Sequence, residues 1–83
     1  LTMIFEKVRE MLAEKLECEE ETILPETKFL DIGIDSLDVT EMVMNLEDEF
    51  GVEIGMDASI VTVADLVAKI ERKLEEKNTA QSS

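Results

Sequence analysis

The sequence contains one serine, Ser36, whose neighbours suggest that its hydroxyl could react or be modified. Ser36 lies within residues 31–38, which read DIGIDSLD. A serine nucleophile needs a base, and the chain has no histidine and no Gly-x-Ser-x-Gly sequence. Zinc sites need histidines or paired cysteines, and Cys18 is the only cysteine. The acids around Gly33 do not follow the spacing of an EF-hand loop. The chain is therefore predicted to have no catalytic chemistry of its own.

Ser36 is predicted to stand at the start of a helix. Either Asp35 or Ser36 can serve as the N-cap, since both side chains accept hydrogen bonds from N–H groups of a first helical turn. The stretch from Leu37 to Phe50 is rich in Leu, Met and Glu, and Gly51 follows where a left-handed cap is expected. The sequence thus predicts a helix over residues 37–50 that begins beside the serine.

The rest of the chain predicts two more long helices and a short one. Apolar residues recur with helical spacing over residues 2–17 and 63–76, and Thr62 with Asp65 resembles a capping pair. Residues 22–34 hold the only proline and are expected to form a loop, with Phe29 and Leu30 in the core. Residues 56–60 are expected to form one helical turn. The predicted fold class is all-α: a four-helix bundle with three longer helices and one short third helix.

Composition narrows the classes of partner. The net charge is −13 over 83 residues, and the chain has no Trp, Tyr or His. Such a chain repels nucleic acid and anionic membranes, and it offers bases little aromatic surface. A single cysteine allows no internal disulfide. No apolar run has transmembrane length, and no signal peptide opens the chain. We therefore expect a cytoplasmic protein, without stable membrane association, whose partners present basic surfaces.

The helix after Ser36 has two unlike faces when its residues are placed about 100° apart. Its predicted core face consists of Val39, Met42, Val43, Leu46 and Phe50. Its outer face consists of Leu37, Glu41, Met44 and Asp48, flanked by Asp38, Thr40, Asn45 and Glu47. Residues 29–68 contain ten Asp or Glu residues and no Lys or Arg. A field of one sign steers a partner of the opposite sign, so the outer face is predicted to dock basic proteins.

The segment around Ser36 resembles the modification motif of acyl carrier proteins, whose core is Asp-Ser-Leu. Here Asp35-Ser36-Leu37 follows Gly33 at the family's spacing. The resemblance continues through residues 41–54, which read EMVMNLEDEFGVEI, through 62–67, which read TVADLV, and through 4–8, which read IFEKV. It covers residues 3 to about 76. The resemblance implies an acyl carrier domain over residues 3–77. Residues 1–2 precede Met3, which reads like a natural start, and are expected to be left over from expression. Residues 78–83 are polar and are expected to form a flexible tail.

The resemblance implies a carrier and not an enzyme. A phosphopantetheinyl transferase would attach a 4'-phosphopantetheine arm from coenzyme A to the Ser36 hydroxyl, and acyl groups would travel as thioesters on the thiol of the arm. A helix start suits a phosphodiester, because N–H groups and the helix dipole favour negative charge there. The leading interpretation is a monomeric carrier that meets the enzymes of fatty-acid biosynthesis through their basic patches. The implied partner-binding residues are Asp35, Leu37, Asp38, Glu41, Met44, Glu47 and Asp48.

The core is implied to sequester the acyl chain. The residues expected to border that pocket are Val43, Leu46, Phe50, Ile54 and Ile70. Gly55 stands where the family commonly has proline, and residues 54–62 form a segment about two residues shorter than usual, which predicts a reshaped third helix. No specific metal site is expected. Weak divalent sites are expected at carboxylate pairs, namely Asp35 with Asp38 and Glu47 or Glu49 with Glu53.

Three alternatives stay open on the sequence alone. The carrier could serve another acyl system, such as polyketide, aminoacyl or cell-wall D-alanyl transfer. The chain could instead be an unmodified acidic interaction module, in which Ser36 only caps a helix. A hydrolase is the most distant alternative, because the chain lacks a histidine to act as a base.

Overall fold

A computed structural model describes the backbone of residues 3–55 and 59–82, and side chains in this part as far as Lys77. Within these residues the regular structure is helical, with no strand beyond an isolated bridge between Lys28 and Thr62. The three α-helices there are α1 (Met3–Leu16), α2 (Ser36–Phe50) and α3 (Val63–Ser82). The predicted all-α class is confirmed.

Helix α1 is amphipathic and contributes one wall of the core. Its buried side chains, Phe5, Val8, Leu12 and Ala13, follow the helical repeat found in the sequence. The helix ends where Glu17 takes a left-handed conformation, with φ of 54°, and the Cys18 N–H bonds the Ala13 carbonyl at 3.0 Å. Helix α1 packs against α3.

The connection from α1 to α2 contains two single turns of 3₁₀ helix, at Glu20–Thr22 and Phe29–Ile32. Phe29 is buried as predicted, but Leu30 is 79% exposed, so its prediction as a core residue was wrong. In a 3₁₀ turn neighbouring side chains point about 120° apart. With Phe29 directed into the core, Leu30 is directed to solvent.

Helix α2 runs antiparallel to α1. Lys7, near the start of α1, pairs with Glu49 near the end of α2, whereas Lys15, near the end of α1, pairs with Asp38 near the start of α2. The predicted core face is buried at Val39, Met42, Val43 and Leu46. Phe50 is only partly buried. It is the last residue of α2, beside the left-handed cap Gly51 (φ of 66°), where the helix leaves the core.

Helix α3 begins with the predicted capping pair. The Asp65 N–H bonds the Thr62 hydroxyl at 3.1 Å, and the Thr62 N–H bonds the Asp65 carboxylate at 3.0 Å. The helix extends to Ser82, beyond the predicted end at residue 76, because residues 77–82 contain neither proline nor glycine to stop it. Near its end the Lys77 ammonium donates to the Gly51 carbonyl at 2.7 Å.

The core collects buried side chains from all three helices and from the loops. Ile23, Phe29 and Ile34 come from the connection between α1 and α2, and Ile54 comes from the segment after α2. Burial of these loop residues anchors the loops to the core, together with backbone hydrogen bonds such as that from the Phe29 N–H to the Val61 carbonyl at 3.1 Å. Val43, Leu46, Ile54 and Ile70 are all within this cluster, as predicted.

Some predictions fall on residues that the structure does not describe. The remnant at residues 1–2 is one, and the centre of the predicted short helix, at residues 56–58, is another. Of that short helix, Ser59 lies in a turn and Ile60 has no regular structure. The division into a carrier domain over 3–77 and a tail over 78–83 stays a prediction.

Candidate functional site

Ser36 is the first residue of α2, and its side chain is exposed. Asp35, and not Ser36, is the N-cap: the Asp38 N–H donates to the Asp35 carboxylate at 3.0 Å. The Asp38 carboxylate in turn accepts from the Asp35 N–H at 3.4 Å, which completes a capping box. Since Asp35 performs the capping, the Ser36 hydroxyl has no protein partner in the described part of the chain.

The approach to Ser36 is fixed by the core. Ile34 is buried, and its N–H bonds the Phe29 carbonyl at 2.9 Å. Val39, in the first turn of α2, lies in the same core cluster. Apolar residues on either side of an N-cap fix the angle at which a chain enters a helix. Gly33 supplies the left-handed turn, with φ of 78°, that brings the chain from the preceding 3₁₀ helix to this point.

Some backbone N–H groups in the first turn of α2 have no acceptor within the helix. The Val39 N–H makes the first intrahelical bond, to the Asp35 carbonyl at 3.0 Å, and the Asp38 N–H is capped. The N–H groups of Ser36 and Leu37 come before that bond, at the positive end of the helix dipole. On the other side the Thr40 hydroxyl donates to the Ser36 carbonyl at 2.8 Å. A phosphodiester on the Ser36 hydroxyl would therefore find uncommitted donors and a favourable dipole.

Asp38 links this site to α1. The Lys15 ammonium lies 3.2 Å from Asp38 Oδ1, while Oδ2 faces the Asp35 N–H. The Lys15 ammonium, followed by the hydrogen bonds with Asp35, holds the pKa of Asp38 below its ordinary value of 3.8. One carboxylate therefore connects two helices and the cap.

The outer face of α2 is exposed as predicted. Leu37 is 67% exposed and Met44 is 59% exposed, although both are large apolar side chains. Glu41 and Asp48 lie exposed beside them. Neither carboxylate has a hydrogen-bond or ion-pair partner among the described residues. An acidic face with apolar residues along it has the composition of a docking surface.

Glu47, which flanks that face, is hydrogen-bonded to its own chain. Its carboxylate accepts from the Ile54 N–H at 2.9 Å and from the Gly55 N–H at 3.0 Å, which fastens the chain after α2 back onto the helix. The bonds from Gly55 and then Ile54 lower the pKa of Glu47 from its ordinary value of 4.5. These bonds turn the carboxylate toward its own chain, and its place in the partner-binding surface stays a prediction. Gly55 in place of proline was the signal: proline has no N–H to donate.

Most carboxylates of the predicted weak divalent sites already have partners within the protein, and the sites themselves stay a prediction. Asp35 and Asp38 cap each other, Asp38 also binds Lys15, and Glu49 binds Lys7 at 3.5 Å. Glu47 is occupied by backbone N–H groups. Across residues 3–55 and 59–82, no three acidic, cysteine or histidine side chains come together as a metal site.

Comparison with known proteins decides the family. Residues 6–70 match the family described as phosphopantetheine attachment site. An acyl carrier protein of Streptococcus pyogenes is 43% identical over 70 residues, which cover 84% of this chain and 95% of that protein. An acyl carrier protein of Lactococcus lactis is 41% identical over 68 residues, which cover 82% and 93%. This chain belongs to the acyl carrier protein family. The resemblance drawn from the sequence is confirmed.

Membership in the acyl carrier family gives the site its chemistry. Members are carriers and not enzymes, and they hold a covalent 4'-phosphopantetheine group at an attachment site. The exposed Ser36 hydroxyl and the open N–H groups beside it fit such a group. When bound, the arm supplies a terminal thiol that forms thioesters with acyl groups. The protein supplies the position and electrostatics of the attachment point. None of the helices described here is long and apolar enough to span a bilayer.

Substitutions can separate the capping role of Asp35 from any role of Ser36. We expect Asp35→Ala to lower the free energy of unfolding by about 1 kcal/mol, because the Asp38 N–H loses its acceptor. Asp35→Asn, which keeps an acceptor, should recover most of this loss. Ser36→Ala should change stability by less than about 0.5 kcal/mol, because Ser36 does not cap. Urea unfolding followed by circular dichroism measures all three. A larger loss from Ser36→Ala than from Asp35→Ala would contradict the assignment.

The bonds of Glu47 predict a pH dependence. The pKa of Glu47 is lowered in the folded state, so its contribution to stability is present above the unfolded value of 4.5 and is lost as the pH falls through the folded value. We expect Glu47→Gln to destabilise the protein at pH 7, and the difference from wild type to shrink below about pH 4. Glu53→Gln removes the same charge from an exposed carboxylate in the same segment and serves as control. Equal melting temperatures for the two variants at pH 7 would show that the Glu47 bonds contribute nothing.

Proposed function

We propose that the Ser36 hydroxyl is the attachment point of the 4'-phosphopantetheine arm, and that the protein carries acyl groups between enzymes of fatty-acid biosynthesis. The observation that carries the proposal is the cap: Asp35 accepts the Asp38 N–H in the first turn of α2 and leaves the exposed Ser36 hydroxyl uncommitted. The family gives the arm and the acyl thioester. The pathway is proposed from the sequence resemblance, and carriers for polyketide, aminoacyl or D-alanyl transfer are the alternatives.

Attachment is tested by intact mass. The protein is incubated with coenzyme A, Mg²⁺ and a broad-specificity phosphopantetheinyl transferase, and one arm per chain is expected. Ser36→Ala should abolish the adduct and keep the wild-type circular dichroism spectrum. Ser59→Ala, which removes another exposed serine, should keep full incorporation. An adduct that survives Ser36→Ala would refute the attachment point, and no adduct on wild type would favour an unmodified interaction module.

We further propose that basic patches of the transferase and of the synthesis enzymes dock on the outer face of α2. Glu41 and Asp48 supply unpaired charge there, and Leu37 and Met44 supply exposed apolar contact. Asp35 and Asp38 lie at the end of this face beside Ser36. Partners bound in this way would be steered by long-range attraction and held by short-range apolar contact.

Charge reversal and truncation separate these two contributions. The double variant Glu41→Lys with Asp48→Lys should slow association with the transferase by at least about tenfold and reduce its dependence on salt. Met44→Ala should instead raise the dissociation rate, because it removes contact area and no charge. Glu53→Lys with Glu75→Lys changes the same number of exposed charges elsewhere and is the control. Unchanged association in the first double variant would show that the docking face lies elsewhere.

The acyl chain is proposed to enter the core between the helices. Val43, Leu46, Ile54 and Ile70 are buried there, with Phe50 partly buried at the edge. Because these side chains already fill the interior, a chain would enter only by moving helices or the segment at Ile54 apart. We expect thioester hydrolysis to slow as the acyl chain lengthens, measured by mass over time. Equal hydrolysis rates for two-carbon and eight-carbon chains would place the chain in solvent.

Three features of the protein's state accompany this function. We propose a four-helix bundle with one short helical turn between α2 and α3, which Cα chemical shifts would test. We also propose a monomer, because copies of charge −13 repel one another, and sedimentation at low and high salt would test that. A cytoplasmic location fits the absence of any disulfide requirement, and imaging of a tagged protein would test it.

A further inference from the structure

The carboxylates of α2 differ in whether they are already paired. Asp38 and Glu49 face α1 and bind Lys15 and Lys7. Glu47 binds backbone N–H groups. Glu41 and Asp48 have no partner among the described residues. The carboxylates of α2 that face α1 are therefore paired with lysines. The carboxylates on the outer face of α2 keep their negative charge unpaired among the described residues.

Lys15 holds a particular position in this arrangement. Its partner Asp38 is two residues after Ser36, so a protein that acts on the Ser36 hydroxyl comes within about one helical turn of this carboxylate. Both side chains remain partly open to solvent, Lys15 at 36% and Asp38 at 29%. A partner's cation can therefore reach Asp38, but the Lys15 ammonium, 3.2 Å from Oδ1, is already there.

We propose that Lys15 is a specificity-determining residue, because its ammonium masks Asp38 and must be displaced before a basic partner can use that carboxylate. Recognition is thereby shifted toward the unpaired Glu41 and Asp48. This inference rests on the proposed function, since it concerns partners that act at Ser36. The pair also lowers the pKa of Asp38, in agreement with the 3.2 Å contact.

A supporting role for Lys15 makes the opposite prediction. If Lys15 only steadied the capping box, then removing it would loosen the first turn of α2 and reduce the turnover of arm transfer. If it masks Asp38, then removing it frees a carboxylate for the partner, so the KM for this protein falls and kcat is unchanged. The direction of the change in KM, together with kcat, separates the two roles.

The experiment compares Lys15→Met with Lys7→Met. Both remove one positive charge and one ion pair from α1, but Lys7 binds Glu49 at the far end of α2. Arm transfer to each variant is measured with a broad-specificity transferase. We expect Lys15→Met to lower KM about two- to fivefold, the range of an exposed ion pair, and Lys7→Met to change it less. In an Asp38→Asn background, Lys15→Met should have no further effect on KM.

Equal falls in KM for both lysine variants would mean that net charge alone acts, and would overturn the inference. A fall in kcat with Lys15→Met, or an effect that persists with Asp38→Asn, would also overturn it. A second measurement does not depend on arm transfer: titration calorimetry with an oligoarginine peptide, for which Lys15→Met should bind more tightly than Lys7→Met. If wild type accepts no arm, the proposed function fails, and the peptide titration still decides whether Lys15 masks Asp38.

Discussion

The start of α2 depends on the reciprocal hydrogen bonds between Asp35 and Asp38. They satisfy N–H groups that a helix cannot satisfy by itself, and they do so without using Ser36. The buried Ile34 on one side and Val39 on the other hold this turn against the core. Ser36, the proposed attachment point, is thus a residue with few constraints of its own, set within a turn that has many. A hydroxyl that another protein must reach benefits from such an arrangement, because its position is defined and its oxygen is available.

The charges of this protein are unevenly distributed along the chain. The net charge of −13 lies mostly in α2 and the segments beside it, where no Lys or Arg occurs between residues 29 and 68. The structure supplies counter-charges from outside that window, with Lys7 and Lys15 on the α1 side and Lys77 at the end of α2. Each lies at an end of α2. In the middle of the outer face, Glu41 has no ion-pair partner among the described residues, and Met44 is exposed to a partner.

Local sequence was sufficient wherever local chemistry decides the structure. The cap at Asp35, the Thr62–Asp65 pair and Gly51 each act within a few residues, and the structure contains all three. The core and outer faces of α2 followed from its periodicity. Leu30 and Phe50 differed because one lies in a single 3₁₀ turn and the other at the very end of a helix, where apolar spacing does not determine burial. The partner of Lys15 could not be predicted, because 23 positions separate Lys15 from Asp38 and only the tertiary fold brings the two side chains together.

The hydrogen bond between the Glu47 carboxylate and the Gly55 N–H limits which residues can replace Gly55. Gly55 has φ of 74°, a conformation that proline cannot adopt, and it donates an N–H that proline lacks. Glu47 and Gly55 therefore have to be kept together when segments are exchanged between carrier proteins. A loop exchanged from a relative with proline at this position would arrive without a donor for Glu47. Chimeras of carrier proteins should accordingly be joined before Glu47 or after Gly55, and not between them.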